Sequence, residues 1–203
     1  MSNTNQPNGL APVRTIINAN WSESVNLYVI PSGDTDQYGI GDIVLSKAGS
    51  DVNGVPYIKK ATASSVPRGI LIGVDPVLQS GVSLVGNPLA LEKLTIPATK
   101  TKDYYVYVVD DPNIIFEIQG DNTTTLTPAS FIGLNANPVI GNPVGVSPFS
   151  STVLNTATVA TTSTFMMKIL SLTQRPGADF TAYTRFLCKW NAHEFFGLTT
   201  GAT

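Results

Sequence analysis

The side chains able to do chemistry are few in this chain of 203 residues. His193 is its only histidine, and Cys188 is its only cysteine. His193-Glu194 begins like the His-Glu-x-x-His motif of zinc proteases, but the second histidine is missing. The Gly-x-Ser-x-Gly motif of α/β-hydrolases does not occur in the sequence either. We predict that His193 is a structural, hydrogen-bonding residue and that the protein is not an enzyme. A hydrolase that uses His193 is the alternative.

Acidic residues form two short groups that could hold a metal ion or act as a carboxylate pair. Residues 34–39 begin like a calcium loop, but the twelfth position is Leu45, where such a loop needs a bidentate glutamate. Asp110 and Asp111 are followed by Pro112, a combination typical of turns. We predict a turn with exposed carboxylates at the first group and an ordinary turn at the second. We therefore expect no metal site and no bound cofactor.

The elements that must position these residues are short. The chain contains 17 glycines and 14 prolines, which leave little room for helices. Between them lie runs rich in β-branched and aromatic residues, which predict strands. The predicted strands are 25–30, 42–45, 56–61, 69–74, 104–109, 114–120, 165–172 and 185–190. This pattern predicts an all-β domain and leaves jelly-roll, barrel and sandwich-like architectures open.

Two local arrangements follow from the same runs. The turn at residues 110–113 separates two predicted strands, and we predict that it closes a β-hairpin. In the last predicted strand, Phe186, Cys188 and Trp190 share one face because side chains alternate along a strand. Cys188 is therefore expected to be an inert thiol in the core.

The chain divides into an arm and a domain. Residues 1–24 show little periodicity and contain Pro7, Gly9 and Pro12, so we predict an extended N-terminal arm there. Residues 25–203 are predicted to form a single β domain with a loop-rich segment near 121–160. On this interpretation, deletion of residues 1–14 leaves the β domain folded.

Charge is scarce and unevenly placed. Asp, Glu, Lys and Arg make up 13% of the residues, and the net charge is −2, so the chain offers no basic surface for nucleic acid or for an anionic membrane. The sequence shows no signal-peptide pattern and no apolar run of membrane-spanning length. Residues 1–22 carry Arg14 as their only charge, and residues 122–165 carry none. We predict that these two stretches lie against other subunits.

Several short motifs follow one another along the chain. They are Asn8-Gly9-Leu10-Ala11-Pro12-Val13-Arg14, Tyr28-Val29-Ile30-Pro31, Gly41-Asp42, Ile72-Gly73-Val74-Asp75-Pro76, Val109-Asp110-Asp111-Pro112 and Leu172-Thr173-Gln174-Arg175-Pro176. In this order they resemble the capsid decoration (head cement) proteins of tailed bacteriophages. That family has no catalytic motif, so the resemblance implies a structural protein of the virion.

The resemblance also implies partners and a location. The protein would stabilise a phage capsid by binding and bridging subunits of the major capsid protein, on the outer surface of a shell assembled in the host cytoplasm. It would form a homo-oligomer there, a dimer or a trimer. We predict that the arm contacts the capsid protein and that Arg14 is its anchor. The predicted interface residues are Asn8, Gly9, Leu10, Pro12, Val13 and Arg14.

A second function class uses the aromatic residues of the strands. A virion-associated module of a tail or fibre would recognise host glycans through an aromatic platform. The residues that could form it are Trp21, Tyr28, Tyr57, Tyr104, Tyr105 and Tyr107. Tyrosines on strands more often form a half-buried sheet surface, and the platform is kept here as the alternative.

Overall fold

The computed structural model describes residues 3–21, 24–75, 95–122, 127–174 and 180–196. The regular secondary structure in these ranges is nearly all β. The strands are β1 (Ala11–Thr15), β2 (Val25–Ile30), β3 (Ile43–Ser50), β4 (Pro56–Lys60), β5 (Gly69–Val74), β6 (Tyr104–Val109), β7 (Ile114–Gln119), β8 (Asn135–Ala136), β9 (Pro138–Val139), β10 (Val153–Leu154), β11 (Met167–Leu172) and β12 (Arg185–Trp190). One helical turn, α1 (Pro128–Phe131), and a 3-10 turn (Thr156–Thr158) complete the described elements. The all-β prediction is confirmed.

Five strands close into a barrel in the order β2-β4-β3-β5-β6. Neighbouring strands are antiparallel except β2 and β4, which are parallel. The barrel strands are rich in valine, isoleucine and tyrosine, which pack well on a pleated surface. Their buried side chains form one core cluster, whose members are Tyr28, Ile30, Tyr38, Val44, Ile58, Leu71, Ile96, Tyr104, Val106 and Val108.

A second, antiparallel sheet has the order β1-β7-β12-β11-β8. Phe186, Cys188 and Trp190 of β12 are fully buried, as the alternation of that strand predicted. The Trp190 ring lies 4.8 Å from the Phe116 ring, centroid to centroid. This sheet shares its core cluster with Ile43 and other barrel residues, so barrel and sheet pack against each other.

The predicted hairpin at residues 110–113 is wrong. The turn is present, but β6 pairs with β2 and β5 inside the barrel, whereas β7 pairs with β1 and β12 in the second sheet. The chain therefore crosses from one sheet to the other at this turn. A turn sequence sets the local reversal of the chain, whereas strand pairing depends on distant segments that compete for both edges of each strand.

The N-terminal segment is extended in backbone conformation but is not a separate arm over its described length. Its residues Ala11–Thr15 form β1, the edge strand paired with β7. Leu10 is only 1% exposed and belongs to the core cluster shared by barrel and sheet. The prediction of an arm outside the core is corrected for this part, because its apolar and backbone groups are used by the domain itself.

Candidate functional site

A groove of about 290 Å³ lies between the N-terminal segment and the loop at residues 138–152. The described residues that line it carry no charge; they are Gln6, Pro7, Asn8, Val144, Ser147, Phe149 and Ser151. Two of the lining side chains are exposed and apolar, Val144 at 69% and Phe149 at 40%. Val146 lies on the same loop, outside the lining, and is 104% exposed. An exposed apolar cluster of this kind is typical of an interaction surface.

The N-terminal wall of the groove is fixed by a close backbone contact. Gly9 has φ +64° and Gly41 has φ +88°, and a side chain on Gly9 would meet the Gly41 carbonyl oxygen at 2.4 Å. Only glycine allows this approach and this backbone conformation. The Leu10 N–H donates to the same carbonyl at 3.0 Å. The wall is therefore ordered by the domain before any partner binds.

Hydrogen bonds to Gln119 hold the residues that lead into this wall. The Gln119 side-chain amide donates to Asn5 Oδ1 at 2.9 Å, and its oxygen accepts the Gln6 N–H at 2.9 Å. Arg185 Nη2 donates to the Gln6 carbonyl at 2.7 Å. Gln119 and its neighbour Glu117 are buried on β7, although alternation along β7 would place them on a solvent face. The N-terminal segment covers that face and explains their burial.

The loop wall is fastened to the barrel by a buried ion pair. Lys60 Nζ lies 2.9 Å from Asp42 Oδ2, and both side chains are at most 5% exposed. The same ammonium donates to Asn142 Oδ1 at 2.8 Å, while Ser150 Oγ donates to Asp42 Oδ1 at 2.5 Å. Burial raises the pKa of Asp42, and the Lys60 ammonium opposes that rise. Breaking such a pair leaves a buried charge without compensation, so the loop is held firmly.

The structure places the six predicted interface residues in different environments. Asn8 lines the groove, and Val13 is 44% exposed. Gly9 and Leu10 are buried inside the protein's own fold. Pro12 and Arg14 are half-buried on β1, and Arg14 Nη1 donates to Asn18 Oδ1. Contact of these residues with a capsid protein stays a prediction; for Gly9 and Leu10 the structure supplies an internal role.

Sequence reasoning missed the loop side of the groove as a site. It marked residues 122–165 as uncharged and predicted that they face other subunits, but it did not single out Val144, Val146 or Phe149. The uncharged stretch of residues 1–22 meets that loop at the groove, where the Gly9–Gly41 contact holds one wall and the Lys60–Asp42 pair holds the other. A signal was present in the Val-Gly-Val sequence of residues 144–146, which puts two apolar side chains next to a turn-forming glycine.

His193 and Cys188 are both buried. The His193 Nδ1 atom accepts the Phe195 N–H at 3.1 Å, and its ring packs 6.0 Å from that of Trp190. Burial lowers the pKa of His193 to about 4, so the imidazole is neutral at pH 7. Burial raises the pKa of the Cys188 thiol, which keeps it protonated. Cys188 lies in the core, as the sequence predicted. His193 was predicted to be a structural, hydrogen-bonding residue, and its Nδ1 accepts a backbone hydrogen bond.

The loop at residues 34–39, which begins like a calcium loop, binds the ammonium group of a lysine from a distant part of the chain. Lys100 Nζ donates to the Asp34 carbonyl at 2.8 Å, to Asp34 Oδ1 at 3.0 Å and to the Asp36 carbonyl at 2.6 Å. Asp34 is 8% exposed, so the prediction of exposed carboxylates is wrong at this residue. A buried carboxylate needs a counter-charge, and the Lys100 ammonium supplies it.

Within the described ranges, no three His, Cys, Asp or Glu side chains come together in a way that could hold a metal ion. The described residues contain no helix with the length and apolar character needed to cross a membrane. Comparison of the chain with family models, with curated proteins and with solved structures finds no match.

Proposed function

We propose that this protein is a capsid decoration protein of a tailed bacteriophage. It would bind major capsid protein subunits on the outer face of the shell and bridge them, as a dimer or trimer, and the role requires no catalysis. The observation that carries the proposal is the uncharged groove with its exposed valines on a firmly held loop. The order of motifs that resembles the decoration proteins supports the same role.

The physical properties of the groove suit a neutral protein partner. A fixed surface loses little conformational entropy on binding, so more of the contact energy appears as affinity. A surface without charges avoids the desolvation cost of ionic groups at a buried interface. A shell presents many copies of the same contact, and an oligomer that engages several of them at once binds far more tightly than each contact alone.

The glycan platform on the tyrosine-rich strands has less support. Tyr28, Tyr104 and Tyr105 are at most 8% exposed, so they offer no ring face to a sugar. The hydroxyl of Tyr28 donates to Asp110 Oδ2, and that of Tyr107 donates to Asp75 Oδ2. These tyrosines hold the strands and turns together, as the half-buried interpretation of strand tyrosines predicts.

A matched pair of valine substitutions tests the groove. Val144 lines the groove and is 69% exposed, whereas Val52 is 99% exposed and lies in the β3–β4 turn, outside the groove lining. Val144→Asp places a charge in the proposed interface and should weaken binding to undecorated phage heads at least tenfold, about 1.4 kcal/mol. Val52→Asp should leave binding unchanged.

The readout is occupancy of purified heads by each variant, measured by co-sedimentation, together with the heat resistance of the decorated heads. Thermal unfolding of the isolated variants checks that both substitutions leave the fold intact. Failure of the unaltered protein to bind or stabilise heads contradicts the proposed function. Equal binding of the two variants would contradict only the placement of the interface at the groove.

A further inference from the structure

A second concave site lies apart from the groove and shares no lining residue with it. This cleft has a volume of about 550 Å³, within the roughly 300–1,000 Å³ that ligand clefts span. Its polar and aromatic lining residues are Ser24, Asn26, Tyr28, Arg68, Asp110, Asp111 and Phe195. The cleft lies where the β6–β7 crossing, β2 and the chain that follows β12 meet. The proposed capsid contact makes no use of it.

The polar side chains of the cleft are held in place by one hydrogen-bonded network. Tyr28 Oη donates to Asp110 Oδ2 at 2.5 Å and accepts from Arg68 Nε at 2.9 Å and Nη2 at 2.7 Å. Asn26 Nδ2 donates to the other oxygen of Asp110 at 2.7 Å. Each of these side chains is fixed by the others, and a fixed set of polar groups is a preorganised recognition site.

Hydrogen-bonding capacity remains after the network is complete. A guanidinium has five N–H donors, and hydrogen bonds to described residues use Arg68 Nε and Nη2, while Nη1 lies 3.6 Å from Glu194 Oε2. Asn26 is exposed and uses an N–H toward Asp110, which leaves its amide oxygen as an acceptor. The cleft thus presents donors and acceptors side by side on planar side chains.

An apolar surface adjoins these groups. Phe195 is 51% exposed, and the Arg68 guanidinium lies 4.1 Å from its ring centroid, which fixes the ring at the edge of the cleft. Leu27, Pro56 and Pro112 also contribute to the apolar lining. A ligand with one C–H face and a rim of hydroxyls matches this combination of exposed ring and planar polar groups.

Charge narrows the ligand class. Among the described residues that line the cleft, Asp110 and Asp111 are anionic and Arg68 alone is cationic; the Glu194 carboxylate also faces that guanidinium. The surplus of carboxylates disfavours an anion. A purely apolar ligand would leave the fixed polar groups without partners. We propose that the cleft binds an uncharged sugar residue of a glycan, with hydroxyls on Arg68 and Asn26 and the C–H face on Phe195.

Titration of the full-length protein with methyl α-D-glucopyranoside, methyl α-D-mannopyranoside and methyl β-D-galactopyranoside tests this assignment, with sialyllactose as the anionic probe. Amide chemical shifts are followed by NMR up to about 50 mM ligand, a range that detects a Kd of about 1–10 mM. Phe195→Ala and Asn26→Ala alter the cleft, and Val52→Asp, which lies in neither the cleft lining nor the groove lining, is the matched control. Unfolding temperatures identify any variant with a damaged fold.

At least one neutral glycoside is expected to shift resonances of the cleft, with binding weakened at least tenfold in Phe195→Ala and Asn26→Ala and unchanged in Val52→Asp. Three results overturn the proposal: no response to any neutral glycoside, equal response of all variants, or response to sialyllactose alone. Capsid binding has no part in this titration, so the sugar site and the decoration role can fail independently.

Discussion

The groove and the cleft are both preordered, but opposite kinds of group line them. The described residues that line the groove carry no charge. The ion pair that fastens the groove's loop, Lys60 with Asp42, is buried. The cleft carries Arg68, Asp110 and Asp111 at its surface. Charge is thus used for anchoring beneath one site and for recognition at the other. A low overall charge is therefore compatible with two sites of different chemistry.

Removal of the N-terminal wall of the groove should cause the largest loss of stability. Because Leu10 is in the core and β1 pairs with β7, we now expect deletion of residues 1–14 to lower the free energy of unfolding by about 4 kcal/mol or more. Leu10→Ala alone should cost about 2–5 kcal/mol. Urea unfolding measures both, with the exposed Val13→Ala as the control. If the truncated protein has unchanged stability, the prediction of an N-terminal arm outside the core is supported instead.

Loss of the ion pair under the groove should have the next largest effect. Lys60→Met leaves Asp42 buried without a counter-charge, so we expect a loss of about 3–5 kcal/mol in the free energy of unfolding. The double variant Lys60→Met/Asp42→Asn should recover much of that loss, because no uncompensated charge remains. Lys59→Met, on the half-buried face of the same strand, is the matched control. Equal losses in the single and double variants would contradict a role for the pair as counter-charges.

Acid should lower the free energy of unfolding through His193, which is close to Arg68 of the cleft. Burial lowers the pKa of His193 to about 4, below its usual value of about 6.5, so the unfolded chain binds the proton first as the pH falls. The contribution of neutral His193 is complete above about pH 6.5 and lost by about pH 4, a change of at most about 3 kcal/mol. Arg68, Glu194 and Asp110 are the charged groups that act on it.

The measurement is the free energy of unfolding between pH 7 and 4 for the unaltered protein and for His193→Gln. Carboxylates contribute to both curves, so the difference between the curves isolates the histidine. The substituted protein should show the shallower loss of stability. Parallel curves would show that His193 has the same pKa in the folded and unfolded states.

Local patterns in the sequence predict the strands well and their pairing poorly. The observed ends of β2, β5, β6 and β12 are those predicted, because alternation and flanking glycines or prolines are local signals. The hairpin prediction at residues 110–113 was wrong because β6 and β7 each have two better partners far away in the chain. The edge position of β1 depends on the same distant competition.

The sequence indicated the two segments that form the groove but not that they meet. The two uncharged stretches were marked as partner-facing, but their meeting at one groove depends on contacts between distant segments. Burial of Lys60 and Lys100 leaves no trace in the sequence either, since lysines are ordinarily exposed. Arg68 illustrates the same limit: nothing near it in the chain indicates that Tyr28, Asp110 and Phe195 will surround it.

The lysine in the Asp34 loop has a consequence for how the protein withstands its surroundings. Lys100 fills with a tethered ammonium the position where a loop of carbonyls and a carboxylate would otherwise collect a dissolved cation. A tethered ion has a high effective concentration that dilution does not reduce, and it loses no translational freedom on binding. We therefore expect the stability of this corner of the barrel to depend little on chelators or on dissolved cations.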